Sequence, residues 1–200
     1  MAFDTIPSDD VIQKTIAALA ANGIEAVVVD NASAAKAKLF ELMPEGSEVM
    51  NNTSTTLIQI GAVDDILKSG KYKPVRDRFA DPAITELEKQ QWGAAPPYAI
   101  GSVHAITEDG HIMIASATGS QLPGYANGAL NVIWVAGAHK IVKDVDEGFK
   151  RINEYTLPLE NVRSMKAYGA PSGVNKLLII NKEVKPNRIK LILVKEVLGF

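Results

Sequence analysis

The sequence contains no cysteine. That absence excludes disulfides, thiolate nucleophiles, and zinc or iron–sulfur sites ligated by cysteine. It also fits a reducing compartment. Long apolar runs are missing too, and none approaches the ~20 residues that a membrane helix needs. Met1-Ala2-Phe3-Asp4-Thr5-Ile6-Pro7 lacks a basic region followed by an apolar one, so it does not read as a signal peptide and a cytoplasmic location is expected. Charge of one sign is not in excess. The formal net charge is −2 and no five like charges run together, so neither a nucleic-acid partner nor a membrane partner is expected. Phosphate-loop (G-x-x-x-x-G-K-S/T) and dinucleotide (G-x-G-x-x-G) signatures are absent. No cofactor is evident. His104, His111 and His139 lack the spacing of a helical metal pair, and no metal site is assigned.

What is present is an ordinary globular composition. With 200 residues, 46% of them hydrophobic, the chain can bury one core, and a single domain over 1–200 is expected. Ser8 with Asp9 and Asp10 opens a helix that Asn22-Gly23 stops. A strand follows at Ile24 to Val29, a helix at Ala32 to Met43, a short strand at Glu48 to Met50, and a helix from Leu57 to Leu67. Helix alternating with strand predicts a layered α/β domain. Lys71 to Ala80 reads as irregular, and Asp81-Pro82 as the start of a short helix. Tyr98 to Thr107 and His111 to Ser116 read as two strands joined in a hairpin at Asp109-Gly110. Thr118 to Gly128 reads as a loop, and Asn131 to Ala136 as a strand buried on both faces. Asp144 opens a helix that Leu157-Pro158-Leu159 interrupts before a second helical stretch to Tyr168. Two strands, Leu177 to Ile180 and Ile189 to Val194, flank a turn at Lys185-Pro186-Asn187.

Three places carry chemistry-bearing residues. The first is a polar knot between strand and helix: Asn51, Asn52, Thr53, Ser54, Thr55 and Thr56. Backbone N–H groups at a helix start favour an anion, hydroxyls add donors, and asparagines tolerate left-handed backbone. The same pattern serves a plain helix cap, but a cap uses one side chain and the knot offers four hydroxyls. The second is Glu108 with His111. A two-residue hairpin loop would set them opposite each other with Cβ atoms ~5 Å apart, either as an acid–base pair or as a solvated charge pair at a hairpin tip. The third is Gly119-Ser120-Gln121, where small residues after a buried strand would admit a ligand or simply connect elements.

Several segments together resemble the lactate-utilisation (LUD, LutC-type) domain family. They are Gly101 to Gly110, Ile133-Trp134-Val135-Ala136-Gly137 with Lys140-Ile141-Val142, the knot running into Leu57-Ile58-Gln59-Ile60-Gly61, and the ending Arg188 to Phe200. The resemblance covers nearly the whole chain and points to the compact, single-domain branch. It implies a three-layer αβα fold of the kind shared by glucosamine-phosphate deaminases, ribose-5-phosphate isomerases and CoA transferases, with a mixed, mainly parallel central sheet and a β-hairpin. In the sugar-phosphate relatives a glycine-rich loop holds phosphate where this chain has Asn51 to Thr56. In CoA transferases a glutamate in a turn resembling Glu108-Asp109-Gly110 attacks the acyl group.

What the resemblance implies for function is a small acidic metabolite, whether an organic acid, an acyl-CoA or a phosphorylated compound, in a setting of lactate or organic-acid utilisation. The anion would lie at Asn51 to Thr56 and Gly119 to Gln121, with Glu108 as acid, base or nucleophile and His111 beside it. The competing expectation is a non-catalytic accessory subunit of a lactate-oxidising complex with iron–sulfur partner subunits. A homodimer is also expected, both because two-fold dimers are the commonest soluble oligomers and because Tyr98 and Leu122 read as exposed apolar residues.

Overall fold

A computed structural model describes residues 3–200; Met1 and Ala2, the start of the segment read above for a leader, lie outside the described residues. The elements are α1 (Asp9–Ala21), β1 (Glu25–Val29), α2 (Ala32–Leu42), β2 (Glu48–Asn51), α3 (Thr55–Gln59), α4 (Ala62–Lys68), β3 (Lys73–Pro74) and α5 (Glu86–Ala94). There follow β4 (Tyr98–Gly101), β5 (Ala105–Thr107), β6 (Ile112–Ser116), β7 (Asn131–Gly137), β8 (Ile141–Val142), α6 (Val145–Lys150), α7 (Leu157–Tyr168), β9 (Lys176–Ile180) and β10 (Ile189–Val194). Among the described residues no helix is long and apolar enough to cross a membrane.

The central sheet has six strands in the order β1-β10-β7-β4-β2-β3, and every pair in it is parallel. Its two faces follow from the two-residue period of a strand. Along β7, Val132, Trp134 and Ala136 face one core together with Leu191 and Leu193, while Ile133 and Val135 face the other with Ile192 and Val194. The second core is closed by α2, α3 and α4 through Leu39, Leu57, Ile60 and Ile66. The first is closed by Ile12 and Leu19 of α1 and by a second sheet of four strands, β8-β5-β6-β9, through Ile106, Ile112 and Ile114. The protein is therefore a three-layer α/β structure, with α6 and Ile152 backing the outer face of the small sheet.

Several elements differ from the sequence reading for local physical reasons. Tyr98 to Thr107 is not one strand, because β4 lies in the central sheet and β5 in the small one, with Ser102–His104 crossing between them. The hairpin turn at Asp109-Gly110 forms, but with a three-residue loop. Ala105 faces Met113 and Ile106 faces Ile112, so Thr107 opposes His111 and Glu108 falls inside the loop. Gly110 takes φ 85°, as the left-handed position of such loops requires, and packs against the backbone of Ala18 and Leu19 in α1. The helix expected at Asp81-Pro82 begins instead at Thr85, which forms a reciprocal capping box with Glu88.

Pro158 does not interrupt the last long helix. Residues Arg151–Thr156 widen into a π-helical turn between α6 and α7, placing Pro158 in the first turn of α7. A wider turn relieves the clash that a proline ring otherwise makes with the carbonyl four residues back. A second π-helical turn, Gly124–Gly128, lies within the segment read as a loop.

Candidate functional site

In open parallel sheets ligands bind beyond the carboxyl ends of the strands. Three neighbouring strands, β2, β4 and β7, release their chains at one place: Asn51 into the knot, Gly101 into Ser102–His104, and Gly137 into Ala138–Lys140. A cavity of about 450 Å³ lies there, lined by residues of all three exits. That volume falls within the range of metabolite pockets. The open end of the β5–β6 hairpin forms a further wall through His104, Ala115 and Ser116, and α7 covers the mouth with Glu160, Arg163 and Tyr168. Both π-helical turns reach the cavity, through Tyr125 and through Ile152 and Thr156.

The knot divides its labour. Asn52, Thr53, Ser54, Thr55 and Thr56 all line the cavity. Ser54 caps α3 by accepting the Leu57 N–H at 3.2 Å. Thr56 Oγ1 is 3.2 Å from both Ser102 Oγ and the Leu198 carbonyl. Asn51 lies behind the wall, its carbonyl accepting Arg76 Nε–H at 3.2 Å while its buried Oδ1 lacks a partner. Neither asparagine uses left-handed backbone; Asn187 alone does so among the described non-glycine residues, and the Asn52 N–H instead extends the β2–β4 ladder to Ile100. Because α3 is five residues long and ends at a left-handed Gly61, it brings little dipole to the site.

Gly119, Ser120 and Gln121 separate. Ser120 and Gln121 line the first cavity, whereas Gly119 lines a second one of about 590 Å³. Met50, Phe79, Gly93 and Pro123 belong to that second cavity, and the two share Arg76, Thr118 and Ser120. Gln121 is held by Ser116 at 2.9 Å.

Glu108 and His111 line neither cavity, which corrects the expectation that Glu108 faces the ligand. The hairpin is laid with its open end at the cavity and its tip pointing away. Four residues of strand separate His104 from Glu108, about 13 Å. At the tip, Glu108 pairs with Lys14 of α1 at 2.7 Å, and His111 Nδ1 lies 3.7 Å from Asp109. The Asp109 carboxylate also accepts the Thr107 hydroxyl.

The charged groups of the site come from elsewhere in the chain. Lys140, in the helical turn after β7, is 1% exposed and lines the cavity. Its Nζ donates to the Val103 carbonyl at 3.0 Å and lies 3.1 Å from Ser102 Oγ and 3.4 Å from Thr56 Oγ1. Arg151, fully buried behind the wall, donates from Nη1 to the His104 carbonyl at 2.5 Å and to Thr156 at 3.0 Å, while Nε and Nη2 have no partner. Neither cation pairs with a carboxylate among the described residues. The one side-chain carboxylate lining the cavity, Glu160, is engaged at both oxygens by Arg163. Burial, with Arg151 adding to it, pushes the Lys140 ammonium well below its usual range.

His104 lines the cavity and accepts the Ala115 N–H at Nδ1 (3.1 Å), which leaves its proton on Nε2 as a donor. Burial and the two cations lower it to about 3. His139 is driven to about 3 by the same causes, against the opposing pull of the Gly199 and Glu196 backbone beside its ring. Tyr125, whose hydroxyl is 3.4 Å from the Ile100 carbonyl, is raised by burial. A Cβ on Gly101 would stand 1.9 Å from that hydroxyl, so only glycine ends β4 here. Among the described residues no three His, Asp or Glu side chains gather as metal ligands.

Sequence reasoning gave no site role to Lys140, Arg151, Arg76 or Ser102, and considered His104 only as a metal ligand. One local signal pointed to Lys140: it follows a continuous apolar strand, the place where a central parallel strand delivers residues to a ligand.

A family model described as the LUD domain matches residues 12–194. By structure, the chain is similar to a DUF162 family protein from Deinococcus radiodurans. The two are 12% identical with a TM-score of 0.54, over 95% of this chain and 99% of that one. Fainter likenesses are to a ribose 5-phosphate isomerase from Plasmodium falciparum (13% identical, TM-score 0.41, 82% of this chain and 93% of that one) and to eIF2B beta from Chaetomium thermophilum (11% identical, TM-score 0.37, 58% and 43%). No curated protein matches.

Proposed function

The chain belongs to the LUD domain family, and we propose that it binds a small organic anion in the cavity at the ends of β2, β4 and β7, in a setting of organic-acid utilisation. One observation carries this reading: Lys140 lines the cavity and Arg151 is buried behind its wall, neither with a carboxylate partner among the described residues, and Arg76 adds a guanidinium at the rim. Buried charge is costly unless paired, so an anion in the cavity supplies the partner with which Lys140 holds a proton that the empty site resists. The hydroxyls of Thr53 and Thr55 and the Nε2–H of His104 add neutral donors around it.

Thermal denaturation with a panel of phosphate, sulfate and small carboxylates tests this. A ligand at a hundred times its dissociation constant stabilises by about 2.7 kcal/mol, or about 5–10 °C for a chain this size. Arg76→Met is expected to remove most of the shift, whereas Glu108→Gln at the distant hairpin tip is expected to keep it. Equal shifts in wild type and Arg76→Met, or loss of the shift in Glu108→Gln alone, would sink the reading.

A second reading, a subunit docking to iron–sulfur partners or to its own copy, draws on α7. Val162, Met165 and Tyr168 stand 72%, 51% and 68% exposed along that helix. Tyr98 and Leu122, which the sequence suggested for such a face, are instead half-buried against the cores. In light scattering, self-association through α7 would give a mass above 21.5 kDa that Val162→Glu with Met165→Glu reduces to the monomer. A monomer at high concentration in the wild type would remove the dimer.

A further inference from the structure

We propose that Lys140 is a nucleophilic amine that captures the carbonyl carbon of a small oxo acid as an imine, so that the ligand class of this cavity is a carboxylic acid bearing a ketone or aldehyde group. The inference rests on the anion-binding reading above and specifies its chemistry. A lysine serving as a fixed cation stays at the surface or pairs with a carboxylate. Lys140 does neither. It is 1% exposed, it lines the cavity, and its neighbours are two hydroxyls and a carbonyl.

Burial beside Arg151 favours the free amine over the ammonium, the condition under which a lysine attacks a carbonyl. The surrounding groups fit the rest of the step. Nζ adds to the carbonyl carbon, the C=O π bond becomes a C–O single bond, and one amine proton moves to that oxygen. Thr56 and Ser102, which touch Nζ and each other, offer the hydroxyl relay for the transfer. The carbinolamine then loses its oxygen as water, with the second amine proton, leaving C=N and consuming no other reactant. His104 presents Nε2–H as a donor toward the substrate oxygen, and Arg76 is the cation left for the carboxylate.

Borohydride trapping tests the proposal. The full-length protein is incubated near neutral pH with pyruvate, or with lactate, which differs only in carrying a carbinol where pyruvate has a carbonyl. Borohydride is added, and the product is analysed by intact mass and peptide mapping. Hydride reduces C=N to a stable secondary amine, so pyruvate is expected to give one adduct per chain at Lys140 and lactate none. Labelling at Lys140 should exceed that of the surface lysines about tenfold or more, since each unit of lowered pKa raises the free-amine fraction tenfold. Mapping on the wild type makes the result independent of whether a Lys140→Met variant folds; where it folds, it should show no adduct. If both acids raise the melting temperature but no adduct forms, the imine is overturned and the anion site stands. An adduct spread over surface lysines also overturns it. If neither acid raises the melting temperature and no adduct forms, both the imine and the anion reading fail.

Discussion

Lys140→Met is expected to make the unliganded protein more stable and to abolish stabilisation by any anion. The ammonium of Lys140 is lowered well below its usual range by burial and by Arg151. The sign follows from linkage. A group whose folded pKa lies below its unfolded value gives its full stability only above the unfolded pKa, and that stability is lost as pH falls toward the folded value. At neutral pH the unfolded lysine holds its proton while the folded site resists it, so Lys140 weakens the fold. Methionine has similar length and no charge, and replacing buried ionic groups by apolar ones of like volume often stabilises by about 1–4 kcal/mol. Thr56 and Ser102 keep each other and the Leu198 carbonyl as partners, so few polar atoms are orphaned. Urea melts of wild type and variant, each with and without the best anion from the thermal panel, check this. A variant less stable than wild type, or one that still gains stability from the anion, would show that Lys140 is structural.

Stability is expected to fall steeply as pH drops from about 6.5 toward 5. His104 and His139 are lowered to about 3 in the folded protein, chiefly by burial and further by Lys140 and Arg151, against an ordinary value of 6.5. Their contribution is complete above 6.5 and is lost as pH falls through the window toward 3, because the unfolded chain takes up protons that the folded chain refuses. Once the unfolded histidines are mostly protonated, each contributes a slope of about 1.4 kcal/mol per pH unit, so the pair gives nearly 3. Glu88 and Glu183 are lowered below their usual 4.5 and act only at more acid pH, while the lowered Lys140 adds a slope of the same sign as the histidines. Urea melts at half-unit steps should show the slope, and His139→Gln should reduce it by about 1.4 kcal/mol per pH unit. A flat profile over that window would contradict the burial of both rings.

Much of the architecture was legible because it is written in local periodicity. The alternation of Val132 to Ala136 and of Leu191 to Val194 between two cores is a strand seen from its own sequence. Ser8, Asp144 and Gly110 mark their boundaries by chemistry that reaches only three or four residues. The knot too was legible as a polar exit of β2, since its hydroxyls stand together in the chain, and Asn52 to Thr56 line the cavity. What misled was chemistry whose outcome depends on direction. Glu108 and His104 flank the same strand, β5, and differ in which end of the hairpin meets the cavity, an arrangement in which Gly110 packs on α1.

The sequence by itself determined the layered α/β class, the LUD resemblance, the hairpin turn and the polar exit of β2. Each rests on neighbours in the chain. Only the tertiary structure decided what Lys140 is. Its partner Thr56 lies 84 residues upstream and Ser102 lies 38, brought together because β2, β4 and β7 are adjacent and parallel and therefore end on one side of the sheet. Whether a lysine is a solvated surface charge or a desolvated amine at a cavity wall is set by what excludes water from it, and here that is supplied by segments far apart in the sequence.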